Sequence, residues 1–175
     1  MNHKRSSADF GPEKQQQTGS APEATAADLF NAGLRLHQAG RLVEAQAFYR
    51  RTLAICPDHP DALHLLGVIA SQSGRHELSV ELIERAIQRD TSNSLYYSNL
   101  GLSLQALNRS EEALANYHRA LILHPGYPEA LFNRGVALQK LQRLEEAVKS
   151  YDRAVAVRPS YAEAWRRSAR TRTFR

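Results

Sequence analysis

The sequence predicts an all-α fold, a right-handed α-solenoid of four helix-turn-helix units followed by a capping helix. The main observation is a repeat of 34 residues without insertion or deletion, divided into units 26–59, 60–93, 94–127 and 128–161. A glycine recurs at the same place in every unit, as Gly33, Gly67, Gly101 and Gly135. A period of this length is typical of stacked helix pairs, in which no unit buries its apolar face without a neighbour.

Each unit is predicted to form two helices, A and B, joined by a tight turn. In residues 94–127, apolar side chains recur at helical spacing in two stretches. The first stripe is Tyr97, Leu100, Gly101 and Leu104, and the second is Ala113, Tyr117, Ala120 and Leu121. Pro125 and Gly126 then end helix B, because proline cannot extend a helix and glycine suits the following turn.

The turn between helices A and B carries residues that, with one exception, readily adopt the left-handed conformation that ends a helix. They are Gly40, Gly74, Asn108 and, as the exception, Gln142. An arginine follows each of them, at Arg41, Arg75, Arg109 and Arg143. We expect these arginines to face water and to pair with an acid of the next turn, Glu77, Glu111 or Glu145. The alternative is a row of arginines that docks an acidic partner.

The glycine inside helix A needs a structural reason, since glycine costs about 1 kcal/mol relative to alanine in a helix. Helix B carries a small residue once per unit, at Ala45, Ser79, Ala113 and Ala147. We expect the two backbones to approach closely where the glycine and this small residue meet. Large side chains would then fill the space around that contact, including Tyr49, Ile83, Tyr117 and Tyr151 of helix B.

The repeat resembles the tetratricopeptide repeat (TPR) family over residues 26–161. Residues of the family type in the first unit are Gly33, Ala45, Tyr49 and Pro57, with counterparts in each later unit. Ser79, Thr52 and Thr91 are mild departures from the pattern. A fifth unit starts at Ala162, with Trp165 in the large aromatic position, and we expect residues 162–175 to form a capping helix and a basic tail.

Outside the repeats, residues 1–24 are rich in Ser, Gln, Pro and Gly, which predicts a disordered leader. The formal net charge is +5, and most of it comes from the arginines of residues 162–175. A near-neutral solenoid argues against a nucleic-acid partner. No stretch approaches the ~20 apolar residues of a membrane span. The single cysteine fits a reducing, cytoplasmic compartment.

The sequence carries no pattern that indicates catalysis, a cofactor or a metal. It has no glycine-rich phosphate loop and no Gly-x-Ser-x-Gly elbow, and its histidines are scattered. Acidic pairs such as Glu111 and Glu112 open helix B, where negative charge suits the helix N-terminus. We therefore expect a non-enzymatic chain with no cofactor.

The family resemblance implies that helix A lines a concave groove, and the residues two places before each glycine are then candidates for binding. Three of the four are Asn31, Asn99 and Asn133, and the fourth is Leu65. A side-chain amide can accept and donate hydrogen bonds to the backbone of an extended peptide. Apolar contacts nearby would come from Phe30, Leu34, Leu102, Phe132 and Val136.

These asparagines, in units that end like LHPGYPEA and RPSYAEA, resemble the repeats of O-linked N-acetylglucosamine transferases and their bacterial, SPINDLY-like relatives. That resemblance implies an asparagine ladder that holds substrate polypeptide for a separate catalytic domain. Leu65 interrupts the ladder. The alternative is that the asparagines are surface amides without a ligand.

Another mode of this family clamps the acidic C-terminus of a chaperone and would place lysines one turn before the asparagine position in the first and third units. Ala27 and Leu95 stand there in the first and third units, and Asp61 and Glu129 in the second and fourth. A carboxylate would meet no cation there, so the sequence argues against this mode.

The leading functional hypothesis is therefore a scaffold that binds an extended polypeptide, an unidentified protein or peptide, in its groove. The second is the recognition arm of a glycosyltransferase whose catalytic part lies elsewhere. The third is weak self-association through the ends of the stack.

Overall fold

The computed structural model describes residues 24–173, so most of the predicted leader, residues 1–24, lies outside the described part of the chain. Over this range the secondary structure is entirely helical. The helices are α1 (Ala26–Gln38), α2 (Leu42–Ile55), α3 (Pro60–Gln72), α4 (His76–Arg89), α5 (Ser94–Ala106), α6 (Ser110–Leu123), α7 (Pro128–Lys140), α8 (Leu144–Val157) and α9 (Ala162–Thr173). None of these helices is long and apolar enough to span a bilayer.

The helices pack as four successive pairs plus a ninth helix, which confirms the predicted all-α solenoid. Each odd-numbered helix packs against the helix that follows it, and each pair packs against the next pair. Odd-numbered helices are called A helices below, and even-numbered helices up to α8 are called B helices. The substantial contacts join helices that are adjacent or next but one in the chain, as expected for a solenoid.

The stack bends toward the A helices. α3 packs against α5, and α5 packs against α7, whereas successive B helices make no comparable contact within the described residues. Helices on the inside of a curved stack lie closer together than those on the outside. The A helices therefore line the concave face, which is called the A-helix groove below.

The A helices begin either at a residue whose side chain accepts from a free backbone N–H group or at a proline, which has no such group. Thr25 forms a capping box with Asp28 at the start of α1, and the Asn93 side chain accepts from the backbone N–H of Leu95 at α5. Pro60 and Pro128 occupy the first turns of α3 and α7, where the missing backbone N–H of proline would have no partner within the helix. Local sequence thus fixes where each A helix starts.

The four turns between paired helices share one geometry. Gly40, Gly74, Asn108 and Gln142 have φ of 74°, 75°, 60° and 59°, so all four are left-handed, Gln142 included. The backbone N–H of the following arginine donates to a carbonyl five residues earlier, at 2.9 Å in each turn. This is the hydrogen bond of the Schellman motif, which satisfies a carbonyl left free at the helix end.

The turn arginines pair with a different set of acids from the one the sequence suggested. Arg41, Arg109 and Arg143 bind Glu44, Glu112 and Glu146, each three residues on and at 2.5–2.7 Å. The expected partners Glu77, Glu111 and Glu145 are one position too early for this geometry. In the second unit the residue three places after Arg75 is Leu78, so that turn lacks the equivalent acid.

The helix-A glycines are buried, and in three units they face the large residue of helix B rather than the small one. A Cβ atom on Gly67 would meet both, at 2.6 Å from Cγ1 of Ile83 and 3.2 Å from the backbone oxygen of Ser79. A Cβ atom on Gly101 would lie 2.6 Å from Cε1 of Tyr117, and one on Gly135 would lie 2.5 Å from Cε1 of Tyr151. Gly33 meets Tyr49 in the same way. The expectation that the small residues explain these glycines was therefore wrong in all three units, because a ring lies across the helix-A backbone.

α9 packs against α8 and buries Ala164, Ser168 and Thr171. Two side chains fasten it there, since Ser168 and Arg172 both donate to the carboxylate of Asp152, each at 2.6 Å. Trp165, at the large aromatic position, remains 55% exposed. The helix therefore covers α8 with small side chains, and its own outer face stays open.

Candidate functional site

The A-helix groove carries the three predicted asparagines on three different helices. Asn31 is exposed on α1, Asn99 is half-buried on α5 and Asn133 is half-buried on α7. Leu65 occupies the equivalent place on α3 and is also half-buried. Asn99 and Asn133 are thus one unit apart, whereas Leu65 on α3 separates Asn31 from Asn99.

Asn99 already makes one contact within the groove. Its Nδ2 donates to Nε2 of His64 on α3 at 2.8 Å. Because an amide nitrogen only donates, His64 must be neutral with an unprotonated Nε2. Burial lowers the pKa of His64 to about 4, with Asp61 opposing that shift, which is consistent with the neutral ring. The amide of Asn99 is left with its oxygen and one N–H for a ligand.

His64 belongs to a polar cluster that sequence reasoning did not find. The hydroxyl of Tyr96 donates to Asp61, and the rings of His64 and Tyr96 have centroids 4.6 Å apart. Burial, followed by the bond to Asp61, raises the pKa of Tyr96. The cluster joins α3 to α5. Its only sequence signal is the histidine itself, which stands where two other units have phenylalanine.

The two predicted groove phenylalanines lie at the joints between pairs. The Phe30 ring stacks on His59, 4.7 Å between centroids, and also contacts Tyr49. The Phe132 ring contacts Tyr151 and Tyr161. Both rings are half-buried, so each stabilises the stack and offers only part of its surface to a ligand.

The predicted aliphatic residues differ in their exposure. Leu34 and Val136 are half-buried, and Val136 packs against the cluster of Leu138, Ala147 and Tyr151. Leu102 is 42% exposed. The structure therefore does not gather all eight predicted residues in one place, but it does bring Asn99 and Leu102 together at one cavity.

That cavity lies between α3, α4 and α5 and has a volume of about 210 Å³. It is called the Ile83 cavity below, and its lining includes Val68, Ser71, Ile83, Asn99, Leu102 and Ser103. Apolar walls and a few polar groups are typical of ligand sites. Within the described part of the chain, no group of three or more His, Cys, Asp or Glu residues is placed to hold a metal ion.

In the second and fourth units an acid, Asp61 or Glu129, lies one turn before the asparagine position. Asp61 accepts from Tyr96, and Glu129 pairs with Arg158 at 2.6 Å.

On α9, Arg166 and Arg167 both pair with Glu163. Much of the basic charge near the C-terminus is thus neutralised by acids of the same chain.

Comparisons with known proteins agree with this architecture. Two tetratricopeptide repeat models match the chain, one over residues 23–92 and the other over residues 98–162 and 137–171. Among solved structures, the chain is similar to MamA, with a TM-score of 0.73 and 19% identity over 79% of this chain and 81% of that chain. It is also similar to YrrB, described as "a TPR protein with an unusual peptide-binding site", with a TM-score of 0.74 and 23% identity over 85% of this chain and 77% of that chain.

Curated relatives match over shorter stretches. A peroxisomal targeting signal receptor of Candida glabrata is 34% identical over 74 residues, 42% of this chain and 12% of the receptor. Protein O-mannosyl-transferase TMTC3 of Homo sapiens is 32% identical over 94 residues, 53% of this chain and 10% of that protein. The chain spans about an eighth of the length of the first of these relatives, and the resemblance to O-linked N-acetylglucosamine transferases stays a prediction.

Three observations lead to the same family assignment. They are the family-model matches in both halves of the chain, the repeat of constant length and the stack of helix pairs. The chain belongs to the tetratricopeptide repeat family.

Proposed function

We propose that this protein is a non-enzymatic scaffold that binds an extended polypeptide along the A-helix groove. The observation that carries the proposal is the row of amides on α1, α5 and α7, beside the partly exposed Leu102. An amide that pairs with a peptide backbone does not depend on the side chains of the ligand. Apolar surface at the same place supplies the driving force for association.

The charges of the groove favour recognition of the backbone over recognition of a terminal carboxylate. Ala27 and Leu95 offer no cation at the places where a clamp needs one, and Asp61 and Glu129 put a like charge at the equivalent places of the other two units. The proposed ligand is therefore an internal, extended segment. The peptide-binding site named for YrrB and the targeting signals bound by the peroxisomal receptors are consistent with such a role for a related fold.

The test is a pair of substitutions, Asn99→Ala with Asn133→Ala, in a crosslinking pull-down from a native extract. We expect the double variant to lose most of the polypeptide captured by the wild type, because two backbone contacts are removed. Asn116→Ala is the matched control, since Asn116 lies on α6 and its amide donates to the carbonyl of Glu112. Equal capture by the double variant and the wild type, with unchanged circular dichroism, would contradict the proposal.

The recognition arm of a glycosyltransferase is a second candidate, and it rests on the asparagine positions and repeat ends that resemble those of O-linked N-acetylglucosamine transferases. Sequencing the DNA downstream of the codon for Arg175 tests it, because a glycosyltransferase domain encoded there would support this reading. Weak self-association is tested by sedimentation. A cytoplasmic location is likewise a proposal that rests on the single cysteine.

A further inference from the structure

The second unit lacks a packing pair that the other three units share. In those units a tyrosine of helix B reaches across the glycine, and its hydroxyl meets a side chain near the end of helix A. The pairs are Tyr49 with His37, Tyr117 with Gln105 and Tyr151 with Gln139. In the second unit the same two places hold Ile83 and Ser71.

Both replacements are smaller than the residues they replace, and both line the Ile83 cavity. The space that a tyrosine ring and its partner fill in the other units is therefore partly empty here. An engineered cavity of about 150 Å³ lined by apolar residues is large enough to hold benzene. A volume of about 210 Å³ has room for one aromatic ring.

The lining of the cavity suits such a ring. Val68 and Leu102 supply apolar walls with Ile83, and all three contact the same space. Ser71 Oγ makes only long contacts, at 3.4 Å to His76 Nδ1 and 3.4 Å to Ser103 Oγ, so it can bind a hydroxyl brought in by a ligand. Asn99, also in the lining, lies in the row of amides proposed to hold the ligand backbone.

We propose that the Ile83 cavity is a specificity pocket that receives one aromatic side chain, a phenylalanine or tyrosine ring, of the polypeptide in the A-helix groove. The inference rests on the proposed function and deepens it, since the amides would read the backbone and this pocket would select a side chain. The ligand ring takes the place of the tyrosine that helix B lacks in this unit.

The test fills the cavity with the pair of side chains that occupies the equivalent place in another unit of the same protein. The variant Ser71→Gln with Ile83→Tyr copies the native pair Gln105 and Tyr117, and Ser71→Gln alone is a milder variant that narrows the space. Val43→Tyr is the matched control, because Val43 is 83% exposed on α2. Thermal melting verifies that all variants are folded.

The first probe is p-cresol, which is the tyrosine side chain as a free molecule. In methyl NMR spectra we expect it to shift Val68, Ile83 and Leu102 of the wild type and of Val43→Tyr. It should not shift Val68 or Leu102 of the filled variant. Absence of these shifts in the wild type up to the solubility of p-cresol, or equal shifts in the filled variant, would overturn the pocket.

The second probe is a phage-displayed library of random dodecapeptides. Peptides selected by the wild type are expected to share an aromatic residue, and alanine there should weaken binding by about tenfold or more. The filled variant should bind the unchanged peptide about as weakly as the wild type binds the alanine-substituted peptide. The alanine substitution should not weaken binding to the filled variant any further. Selected peptides that need Asn99 and Asn133 but no aromatic residue would leave the groove function standing and overturn the pocket. Failure to select any peptide would count against both proposals.

Discussion

At the scale of single residues, each helix-A glycine makes room for one particular side chain of helix B. The ring of Tyr117 lies against Gly101, and its hydroxyl donates to Oε1 of Gln105. The ring is held at both ends of its contact with helix A. It cannot move aside without breaking a buried hydrogen bond, which is costly.

Gly101→Leu should therefore destabilise the protein strongly. Overpacking costs about 1–3 kcal/mol, and we expect the upper end here because the first added atom would lie 2.6 Å from the ring. The gain in helix propensity, about 1 kcal/mol, offsets only part of that loss. Urea unfolding followed by circular dichroism measures the difference.

Gly126→Leu is the control for this substitution. A Cβ atom there has only His124 Nε2 near it, at 4.0 Å, and φ of Gly126 is not in the left-handed range. Its unfolding midpoint should stay close to that of the wild type. A midpoint for Gly101→Leu as high as for Gly126→Leu would mean that the ring does not confine the glycine.

At the scale of helices, side-chain hydrogen bonds join successive A helices. Asn99 with His64, Tyr96 with Asp61, and Lys140 with the carbonyl of Gln105 all join residues that are 35 positions apart. One repeat plus one residue thus separates the partners. The same offset recurs because each A helix is displaced in the same direction relative to the one before it.

The contact between α3 and α5 makes stability depend on pH. Burial lowers the pKa of His64 to about 4, while the unfolded chain has the ordinary value of about 6.5. Below pH 6.5 the unfolded state therefore binds more protons than the folded state, and acid favours unfolding. Between pH 7 and pH 5 we expect a loss of about 2 kcal/mol from this residue.

Urea unfolding of the wild type and of His64→Gln at the two pH values provides the measurement. Glutamine cannot titrate, so its pH slope should be much shallower. Some slope will remain, because burial also lowers the pKa of His37. Equal slopes for wild type and variant would show that folding does not lower the pKa of His64, which would contradict the prediction.

The arrangement of helices was predictable from sequence, but the contacts between them were less so. Repeat spacing locates every helix pair and the left-handed turns, because these depend on local residues such as Gly40 and Asn108. It does not say whether Gly101 faces Ala113 or Tyr117, since both lie on helix B one turn apart. The cluster of Asp61, His64 and Tyr96 also escaped detection, because it forms only between units.

The candidate site was predictable to a similar degree. The asparagine positions follow from the repeat and lie on α1, α5 and α7, with Leu65 at the equivalent place on α3. The Ile83 cavity does not follow from residue types alone, because isoleucine is an ordinary substitute for a buried tyrosine. The cavity can be recognised only when both positions are compared with the other units, because Ser71, twelve residues before Ile83, also replaces the larger side chain found there in those units.

At the scale of the whole molecule, stability should be distributed along the stack. Substantial contacts reach no farther than the next helix but one, so damage in one unit has few direct routes to a distant one. We expect Gly33→Ala to reduce hydrogen-exchange protection mainly in α1 and α2. Gly135→Ala should act mainly on α7, α8 and α9.

Hydrogen exchange followed by mass spectrometry distinguishes these patterns. The two variants serve as controls for each other, because they place the same change at opposite ends of the stack. A uniform loss of protection from residue 24 to residue 173 in both variants would indicate a single cooperative unit instead.

Contacts limited to neighbouring pairs also make the molecule elastic. We expect small rotations at the contacts between pairs to add along the axis, because each pair contacts only its neighbours. The superhelix can then lengthen or shorten along its axis. The A-helix groove can then change in width while each A helix stays packed on its own B helix.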